Sequence, residues 1–361
     1  MERMKSMSEY HIGQIFSWDR RTLREMDGLL EKEGIERDRN LDYSAGLFDD
    51  SGRLVATGSC FKNTLRCMAV DSAHQGEGLM NEIVSHLIDV QYRRGNMELF
   101  LYTKCSTAKF FSDLGFYEIA RVQDRVVFME NRRDGFSGYL ERLKRETAAF
   151  SGSPGPEAGD GAVILNANPF TLGHQYLVET AAARCRLLHV FVVSEDASLV
   201  PFAVRKKLVM EGCSYLSNLV FHETGSYMIS SATFPSYFLK DAETVIRSHA
   251  MLDIEIFLKI AGALSISRRF VGEEPFSQVT GIYNQVMQAE LANRGLSCLV
   301  IPRKENAEGV ISASRVRQMI HDGQLERLRD AVPPSTYRFF TSEEARPVIE
   351  AIRASEEVVH Y

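Results

Sequence analysis

The sequence predicts an α/β protein of two domains, with a mixed α+β domain first and a doubly wound domain built on a parallel sheet second. The chain has 361 residues, whereas single cores usually stop growing near about 250 to 300 residues. A stretch rich in Gly, Pro and Ser (AFSGSPGPEAGDG, 149–161) separates two regions of periodic sequence. Beyond it, the apolar run AVILN (162–166) is typical of a buried parallel strand. We therefore expect domains at 1–148 and 162–361 joined by a linker at 149–161, with a surface loop as the alternative to a linker.

Composition indicates a folded globular protein, because 45% of the residues are hydrophobic and 25% are charged. The formal net charge of −6 provides no general attraction to polyanions, so nucleic acid and anionic membranes are not expected partners. The six cysteines form no CxxC pair, which disfavours a zinc site. No segment has the apolar core of a signal peptide or the ~18 apolar residues needed to span a bilayer. We expect a cytoplasmic protein.

The first half has the pattern of a β-meander followed by strand and helix segments. Three strand-like runs lie within residues 42–70, separated by turn residues. A turn with two glycines (AHQGEGLM, 73–80) then leads into a helix, and a strand (97–103) and a second helix ending in Gly (108–116) follow. The first of these helices has one apolar face, made of Ile83, Val84, Leu87, Ile88 and Tyr92.

This order of elements, over roughly residues 40–130, resembles the GCN5-related acetyltransferase (GNAT) family. That family has a (Gln/Arg)-x-x-Gly-x-(Gly/Ala) turn whose amides hold the pyrophosphate of acetyl-CoA at a helix start. Here Gly76 and Gly78 match the pattern, whereas Ala73 replaces the leading residue and Glu77 adds an acidic group. The resemblance implies a GNAT-like α+β domain. Three roles stay open for the turn: a plain strand-to-helix connection, docking of a pantetheine-like arm, or acetyl transfer.

The start of the second half contains a candidate phosphate site. After the strand at 162–166, the sequence NPFTLGH leads into a helix whose buried face includes Leu177 and Val178. Free amides and the positive end of the helix dipole attract anions, Gly173 lets the backbone approach a ligand, and His174 supplies a directed donor. The alternative is a capped helix start with a satisfied histidine ring.

A second helix start has similar chemistry. Residues 311–317 read ISASRVR, after a strand at 296–303 and before a helix that includes Met319 and Ile320. Two hydroxyls and an arginine at a helix start form a phosphate clamp. The alternative is that Ser312 is an ordinary N-cap and the arginines are solvated. Two such sites, each at a strand-to-helix junction, together predict nucleotide binding.

These motifs resemble the nucleotidylyltransferase superfamily signatures (His/Thr)-x-Gly-His and Ile-Ser-(Ser)-(Ser/Thr)-x-x-Arg, although Ala313 replaces a frequent Ser. The resemblance implies a Rossmann-like doubly wound sheet, with Thr171 and His174 contacting the ATP phosphates. It also implies that Ser312, Ser314 and Arg317 hold the departing pyrophosphate. Mg²⁺ would accompany ATP. RRFVGEEP (268–275) is expected to end a strand in an adenosine-binding loop, or in a polar turn. The candidate nucleotide-binding residues are Asn168, Phe170, Gly173, Arg205, Gly272, Glu273, Ser312 and Ser314.

Combined with a GNAT-like domain, the segments NANPFTLGHQYLVE, YMISSATFPSYFLK (227–240) and VGEEPFSQVTGIYNQVM closely resemble the citrate lyase ligase family over nearly the whole chain. The resemblance implies that acetate attacks ATP to give acetyl-adenylate and pyrophosphate. The thiol of the dephospho-CoA-derived prosthetic group on the citrate lyase acyl carrier subunit then takes the acetyl group and AMP leaves, which activates citrate lyase.

Several alternatives stay open. The second domain could be an adenylyltransferase for a phosphopantetheine-like acceptor, or the first domain an acetyltransferase that uses acetyl-CoA. A third possibility is a subunit that binds nucleotide without turnover. The hydroxyls and aromatic rings beside Lys240 could bind acetate or the pantetheine arm, or be part of a buried strand and helix.

Overall fold

Two large β-sheets organise the chain in the computed structural model, which describes residues 10–196, 198–228, 234, 242–273, 278–307 and 309–355. The described residues fall into two compact units. One lies within Met1–Phe136 and Pro235–Ser248, and the other within Ser137–Phe234 and His249–Tyr361. The domain limits expected from the sequence, 1–148 and 162–361 with a linker at 149–161, stay a prediction.

The first unit has a seven-stranded mixed sheet in the order β1-β2-β3-β4-β5-β7-β6. The predicted meander, turn, helix, strand and second helix are all present in the expected order, which agrees with a GNAT-like fold. The first strand and helix were not predicted. The elements are β1 His11–Gln14, α1 Arg20–Lys32, β2 Tyr43–Phe48, β3 Leu54–Phe61, β4 Thr64–Val70, α2 Leu79–Arg93, β5 Phe100–Thr103, α3 Ala108–Asp113, β6 Tyr117–Val122 and β7 Val126–Glu130.

Helix α2 covers the sheet of the first unit with the apolar face that its periodicity predicts. Ile83, Val84 and Leu87 are fully buried against strand residues, and Ile88 is partly buried beside them. Tyr92 differs, because its side chain is 42% exposed near the end of the helix. The burial of the other apolar residues fixes the helix on the sheet and places its first turn near the ends of the neighbouring strands.

Strands β4 and β5 are parallel neighbours that separate along their length. They pair only where Thr64 and Leu65 lie opposite Phe100 and Leu101. Beyond these pairs β4 continues to Val70 with β3 as its partner, while β5 continues beside β7. The sheet therefore opens between two of its own strands.

The second unit contains the predicted parallel sheet, with five strands in the order β10-β9-β8-β11-β12. Its first strand begins within the stretch that we expected to be a linker. The remaining elements, of which α4 and α7 begin with residues assigned to the first unit, are α4 Gly135–Ala148, β8 Asp160–Leu165, α5 Leu172–Ala182, β9 Leu187–Val192, α6 Phe202–Gly212, β10 Leu219–Glu223, α7 Ala242–Leu264, β11 Ile266–Gly272, α8 Gln278–Asn293, β12 Ser297–Ile301, β13 Glu305–Asn306, β14 Gly309–Val310, α9 Ala313–His321, α10 Pro334–Phe340 and α11 Arg346–Ala354.

Strand β8 lies where the direction of the strand order reverses. The chain moves from β8 to β9 and β10 on one side, and then returns to add β11 and β12 on the other. Alternate side chains of β8, such as Val163 and Leu165, pack with Val178 of α5 in the core. In open α/β sheets, ligands bind outside the carboxyl ends of the strands at this reversal point. The residues that follow Leu165 therefore lie at the expected position of a ligand site.

None of the helices that the structure describes is long and apolar enough to cross a membrane.

Candidate nucleotide-binding site

The loop between β8 and α5 ends in a capping box. Thr171 has an extended backbone and is the N-cap of α5, whose first turn contains His174. The His174 backbone N–H donates to Oγ1 of Thr171 over 3.3 Å, and the Thr171 backbone N–H donates to Nδ1 of the His174 ring over 3.1 Å. The same ring nitrogen lies 2.9 Å from the Thr171 hydroxyl. These bonds fix the histidine ring relative to the helix start.

The capping box determines which ring nitrogen of His174 carries the proton. A backbone N–H can only donate, so Nδ1 must be the acceptor. In the neutral ring the proton then lies on Nε2, an assignment that follows from the hydrogen bonds and not from observed hydrogens. His174 therefore presents a neutral N–H donor on the side of the ring away from Thr171.

Burial of the ring, together with the positive charges of Arg303 and Arg317, lowers the pKa of His174 to about 4. The imidazole is thus uncharged at neutral pH before any ligand binds. An uncharged ring retains the lone pair on Nδ1 that the capping box needs. Phe170 lies beside it, with ring centroids 6.0 Å apart and an angle of 17° between the planes.

The two predicted helix starts come together. Arg317 of α9 is 2% exposed, and its Nη1 donates to the carbonyl oxygen of Asn168 over 2.6 Å. A Cβ atom on Gly173 would lie 3.0 Å from the carbonyl oxygen of Ile311, so glycine permits this close approach. Ser312 is the N-cap of α9. The structure thus places the TLGH loop directly against the ISASRVR segment.

The hydroxyls of Ser312 and Ser314 lie 3.0 Å apart at the beginning of α9. Oγ of Ser312 also accepts from the backbone N–H of Arg315 over 3.2 Å. Ser312 therefore caps the helix, as the alternative interpretation of this motif states, and remains beside the TLGH loop. Capping and phosphate binding are compatible, because a serine hydroxyl can also donate its own hydrogen.

The side-chain amide of Asn168 is hydrogen-bonded through its oxygen but not, among the described residues, through its NH₂ group. The residue is 2% exposed, and its Oδ1 accepts from the backbone N–H of Val200 over 3.0 Å. Its Nδ2 is buried and has no hydrogen-bond partner in the residue ranges that the structure describes. A buried donor without an acceptor costs about 1–3 kcal/mol, so this amide is a candidate for contact with a ligand oxygen.

Arg205 lies beneath the site. Its side chain is fully buried, and its guanidinium donates over 2.7–2.9 Å to four backbone carbonyls, those of Asn166, Val193, Glu195 and Val200. We expected Arg205 to contact the nucleotide. Because its donors are committed to the loops after β8 and β9, the geometry instead favours a role in positioning those loops.

The end of β11 reaches the site through an arginine that the sequence analysis missed. Glu273 has an exposed side chain, and its carbonyl oxygen accepts from Nε of Arg303 over 2.8 Å. The carbonyl of Gly272 accepts from Nδ2 of Asn284 over 3.1 Å. The positive charge of Arg303 also lowers the pKa of His174, so this arginine acts on both the predicted adenosine loop and the predicted phosphate site. The useful signal was a basic residue just after the carboxyl end of a parallel strand.

Some predicted positions cannot be compared with the structure. Most of the segment 227–240, including Lys240, lies outside the described residues, as do 274 and 275 of the acidic loop. Among the residues that the structure describes, no group of three or more His, Cys, Asp or Glu side chains could hold a metal ion.

The first unit has a cavity of its own. Its volume is about 580 Å³, and it lies where β4 and β5 separate, lined by Met68, Tyr102 and Phe111 among others. The turn before α2 forms one wall. Gly78 there has a φ of 83° and is the N-cap of α2, and no described side chain caps the first amides of the helix. The carboxylate of Glu77, by contrast, is hydrogen-bonded to the hydroxyl of Tyr10.

The family model and the related sequences that match this chain carry the same family description. Residues 160–340 match the family model described as the citrate lyase ligase C-terminal domain. The chain is 41% identical to a [citrate [pro-3S]-lyase] ligase from Klebsiella pneumoniae, covering 80% of this chain and 83% of the relative. It is 33% identical to one from Haemophilus influenzae, covering 90% and 96%. An acetyltransferase of the GNAT family from Staphylococcus aureus aligns with 34% of this chain and all of that structure, at 16% identity and a TM-score of 0.29.

The His174 assignment predicts a specific titration. In the ligand-free protein, long-range ¹H–¹⁵N NMR of the ring should show the neutral Nε2–H form at pH 6 and a midpoint near 4. Between about pH 4 and 6.5 the unfolded chain binds more protons at this residue than the folded one. Its contribution to the free energy of unfolding therefore decreases as the pH falls through that window. A signal lost in His174→Gln identifies the residue, and a midpoint near 6.5 or an Nδ1–H ring would contradict the assignment.

Proposed function

The chain belongs to the citrate lyase ligase family, and on that premise we propose that it activates acetate with ATP and acetylates the thiol of the prosthetic group on the citrate lyase acyl carrier subunit. It is an enzyme of the ligase class. The observation that carries the proposal is the meeting of the α5 and α9 starts beside the carboxyl end of β8, where Arg317 donates to the carbonyl of Asn168. Activation of citrate lyase follows from acetylation. A cytoplasmic location stays a prediction.

The residues present fit a triphosphate. Glycine at position 173 lets the backbone of Ile311 approach the start of α5, and helix starts attract phosphate through their amides and dipole. Arg303 and Arg317 add positive charge beside His174. When bound with ATP, Mg²⁺ would neutralise charge on the phosphate oxygens. These groups supply the positive potential that ATP requires, and we propose that the metal ion enters together with the nucleotide.

In the first step, a carboxylate oxygen of acetate attacks the α-phosphorus of ATP and the bond to pyrophosphate breaks. Carboxylates are ionised at neutral pH, so no protein base is needed. The chain contributes position and charge stabilisation. His174 donates from Nε2 to a phosphate oxygen whose charge increases, and Arg317 holds the pyrophosphate as it leaves. A neutral imidazole suits this role because it donates a hydrogen bond without transferring its proton to the phosphate.

In the second step, the carrier thiol attacks the acetyl carbonyl and AMP leaves with the electron pair of the acyl C–O bond. The thiol must lose its proton, because the thiolate is the nucleophile.

We propose a separate binding role for the cavity of the first unit. A cavity of about 580 Å³ between diverging strands, next to a helix start that no described side chain caps, suits an arm that carries amides and a phosphate. The carrier's prosthetic group has such an arm. Acetyl transfer from acetyl-CoA in this cavity is the alternative.

The proposed function predicts acid-dependent exchange of labelled pyrophosphate into ATP. Exchange should require acetate, because labelled pyrophosphate enters ATP by reacting with acetyl-adenylate, and acetyl-adenylate forms only when acetate is present. Formate, propionate and citrate serve as comparison acids. Exchange without any acid but with a phosphopantetheine-like acceptor would indicate an adenylyltransferase instead. If ATP binds and no exchange occurs with any acid or acceptor, the chain is a binding subunit and the proposal fails.

We expect His174→Ala to lower the exchange rate by about 10²-fold or more, because a preorganised donor to a charged oxygen contributes about 3–4 kcal/mol to the barrier. His321→Ala is the matched control, since His321 is partly exposed at the end of α9 and pairs with Asp322. The control should keep its full rate, and both variants should retain the parent's circular dichroism. A His174→Ala rate within about threefold of the parent would exclude the residue from the mechanism.

A further inference from the structure

Asn166 occupies the central position of the sheet edge. It is the first residue after β8, the strand at which the strand order reverses. Its side chain is half-buried, and the next residue, Ala167, has a φ of 50°. The loop continues through Asn168 to the capping box of α5. Asn166 therefore stands where open α/β sheets bind their ligands, a few residues before His174.

The neighbours of Asn166 fix the orientation of its amide. Nη1 of Arg205 donates to Oδ1 of Asn166 over 3.0 Å, and Oγ of Ser198 donates to the same atom over 3.3 Å. A guanidinium can only donate, so the atom that faces it must be the amide oxygen. The NH₂ group of Asn166 consequently points away from Arg205. Within the described part of the chain, this NH₂ group makes no hydrogen bond.

Arg205 favours one orientation of the Asn166 side-chain amide. It is fully buried, and its other donors bind backbone carbonyls, including that of Asn166 itself. Rotating the Asn166 side chain would turn its NH₂ group toward the donors of Arg205 and Ser198 and break both contacts of Oδ1, although Nη1 of Arg205 would keep two backbone carbonyls as acceptors. The direction of the NH₂ group is therefore set by a rigid support.

A second amide lies two residues further on. Oδ1 of Asn168 accepts from the backbone N–H of Val200, and its buried Nδ2 has no acceptor in the part of the chain that the structure describes. Residues between the end of β9 and the first turns of α6, namely Ser198, Val200 and Arg205, thus contact both asparagine side chains. Two oriented NH₂ groups favour a ligand whose oxygen atoms accept hydrogen bonds and which has no donors of its own.

A carboxylate fits this requirement better than a phosphate. The cations near His174, Arg303 and Arg317, are the groups that suit the highly charged triphosphate. Neutral amides can orient a carboxylate without the strong charge stabilisation of a guanidinium, so the bound oxygen stays nucleophilic. The site then divides into a cationic part for ATP and an amide part for the acid.

We propose that the side-chain NH₂ of Asn166 binds the carboxylate of the acid substrate, with Arg205 as the residue that positions it. This inference rests on the proposed function and deepens it, because it names the subsite that holds acetate for attack.

Asn166→Asp tests the proposal with little change of shape. The new carboxylate keeps an oxygen for Arg205 and Ser198, and it replaces the NH₂ donor by a second oxygen that repels the substrate. In pyrophosphate exchange, the KM for acetate should rise by about 30-fold or more. The dissociation constant of ATP, measured by calorimetry without acid, should change by less than about threefold. Asn96→Asp, the same substitution in the first unit, should leave both values unchanged.

Asn166→Leu provides a second, uncharged variant, which should also raise the KM for acetate while ATP still binds. Arg205→Lys should act in the same direction, and its effect should be smaller when combined with Asn166→Asp than in the parent, as expected of residues that act through each other. The inference is overturned if both Asn166 variants keep the parental KM for acetate. It is also overturned if both lose ATP binding, which would assign Asn166 to the nucleotide. Absence of acid-dependent exchange in the unmodified protein would instead remove the proposed function itself.

Discussion

The hydrogen bond from the Arg317 guanidinium to the carbonyl of Asn168 joins two parts of the chain about 150 residues apart in sequence, and the candidate site depends on it. It fixes the beginning of α9 against the loop that precedes α5. Glycine at position 173 allows the two backbones to approach closely. These contacts bring the amides, hydroxyls and cations of two helix starts together at one candidate site. Separate helix starts would each bind an anion weakly, since a single helix dipole contributes only about 0.3–2 kcal/mol.

A local sequence rule also determines chemistry at this site. Thr171 is a favourable N-cap, and the residue three positions later is the histidine whose ring completes the capping box. The same bonds that stabilise the helix start place the ring proton on Nε2, and burial beside two arginines keeps the ring neutral. Helix capping and the proposed ligand binding are therefore compatible in one arrangement, so a capped histidine can still be a functional residue.

The sequence predicted the parallel sheet, the meander and both helix starts, because these follow from local periodicity and turn residues. It did not predict that Arg205 would be buried under the loops, since a basic residue near a helix start has the same local pattern whether it faces a ligand or a carbonyl. Arg303 and Asn166 were missed for a related reason. Their importance comes from strand order and from side chains distant in sequence, such as the Arg205 contact with Oδ1 of Asn166, and periodicity contains no information on these.

The most direct measurement of the central claim is a crystal structure of the protein with a non-hydrolysable ATP analogue and Mg²⁺. The account predicts that the phosphates lie between the two helix starts, with Nε2 of His174 and the guanidinium of Arg317 within hydrogen-bonding distance of phosphate oxygens. Triphosphate bound elsewhere, including the cavity of the first unit, or phosphates that contact neither side chain, would contradict it.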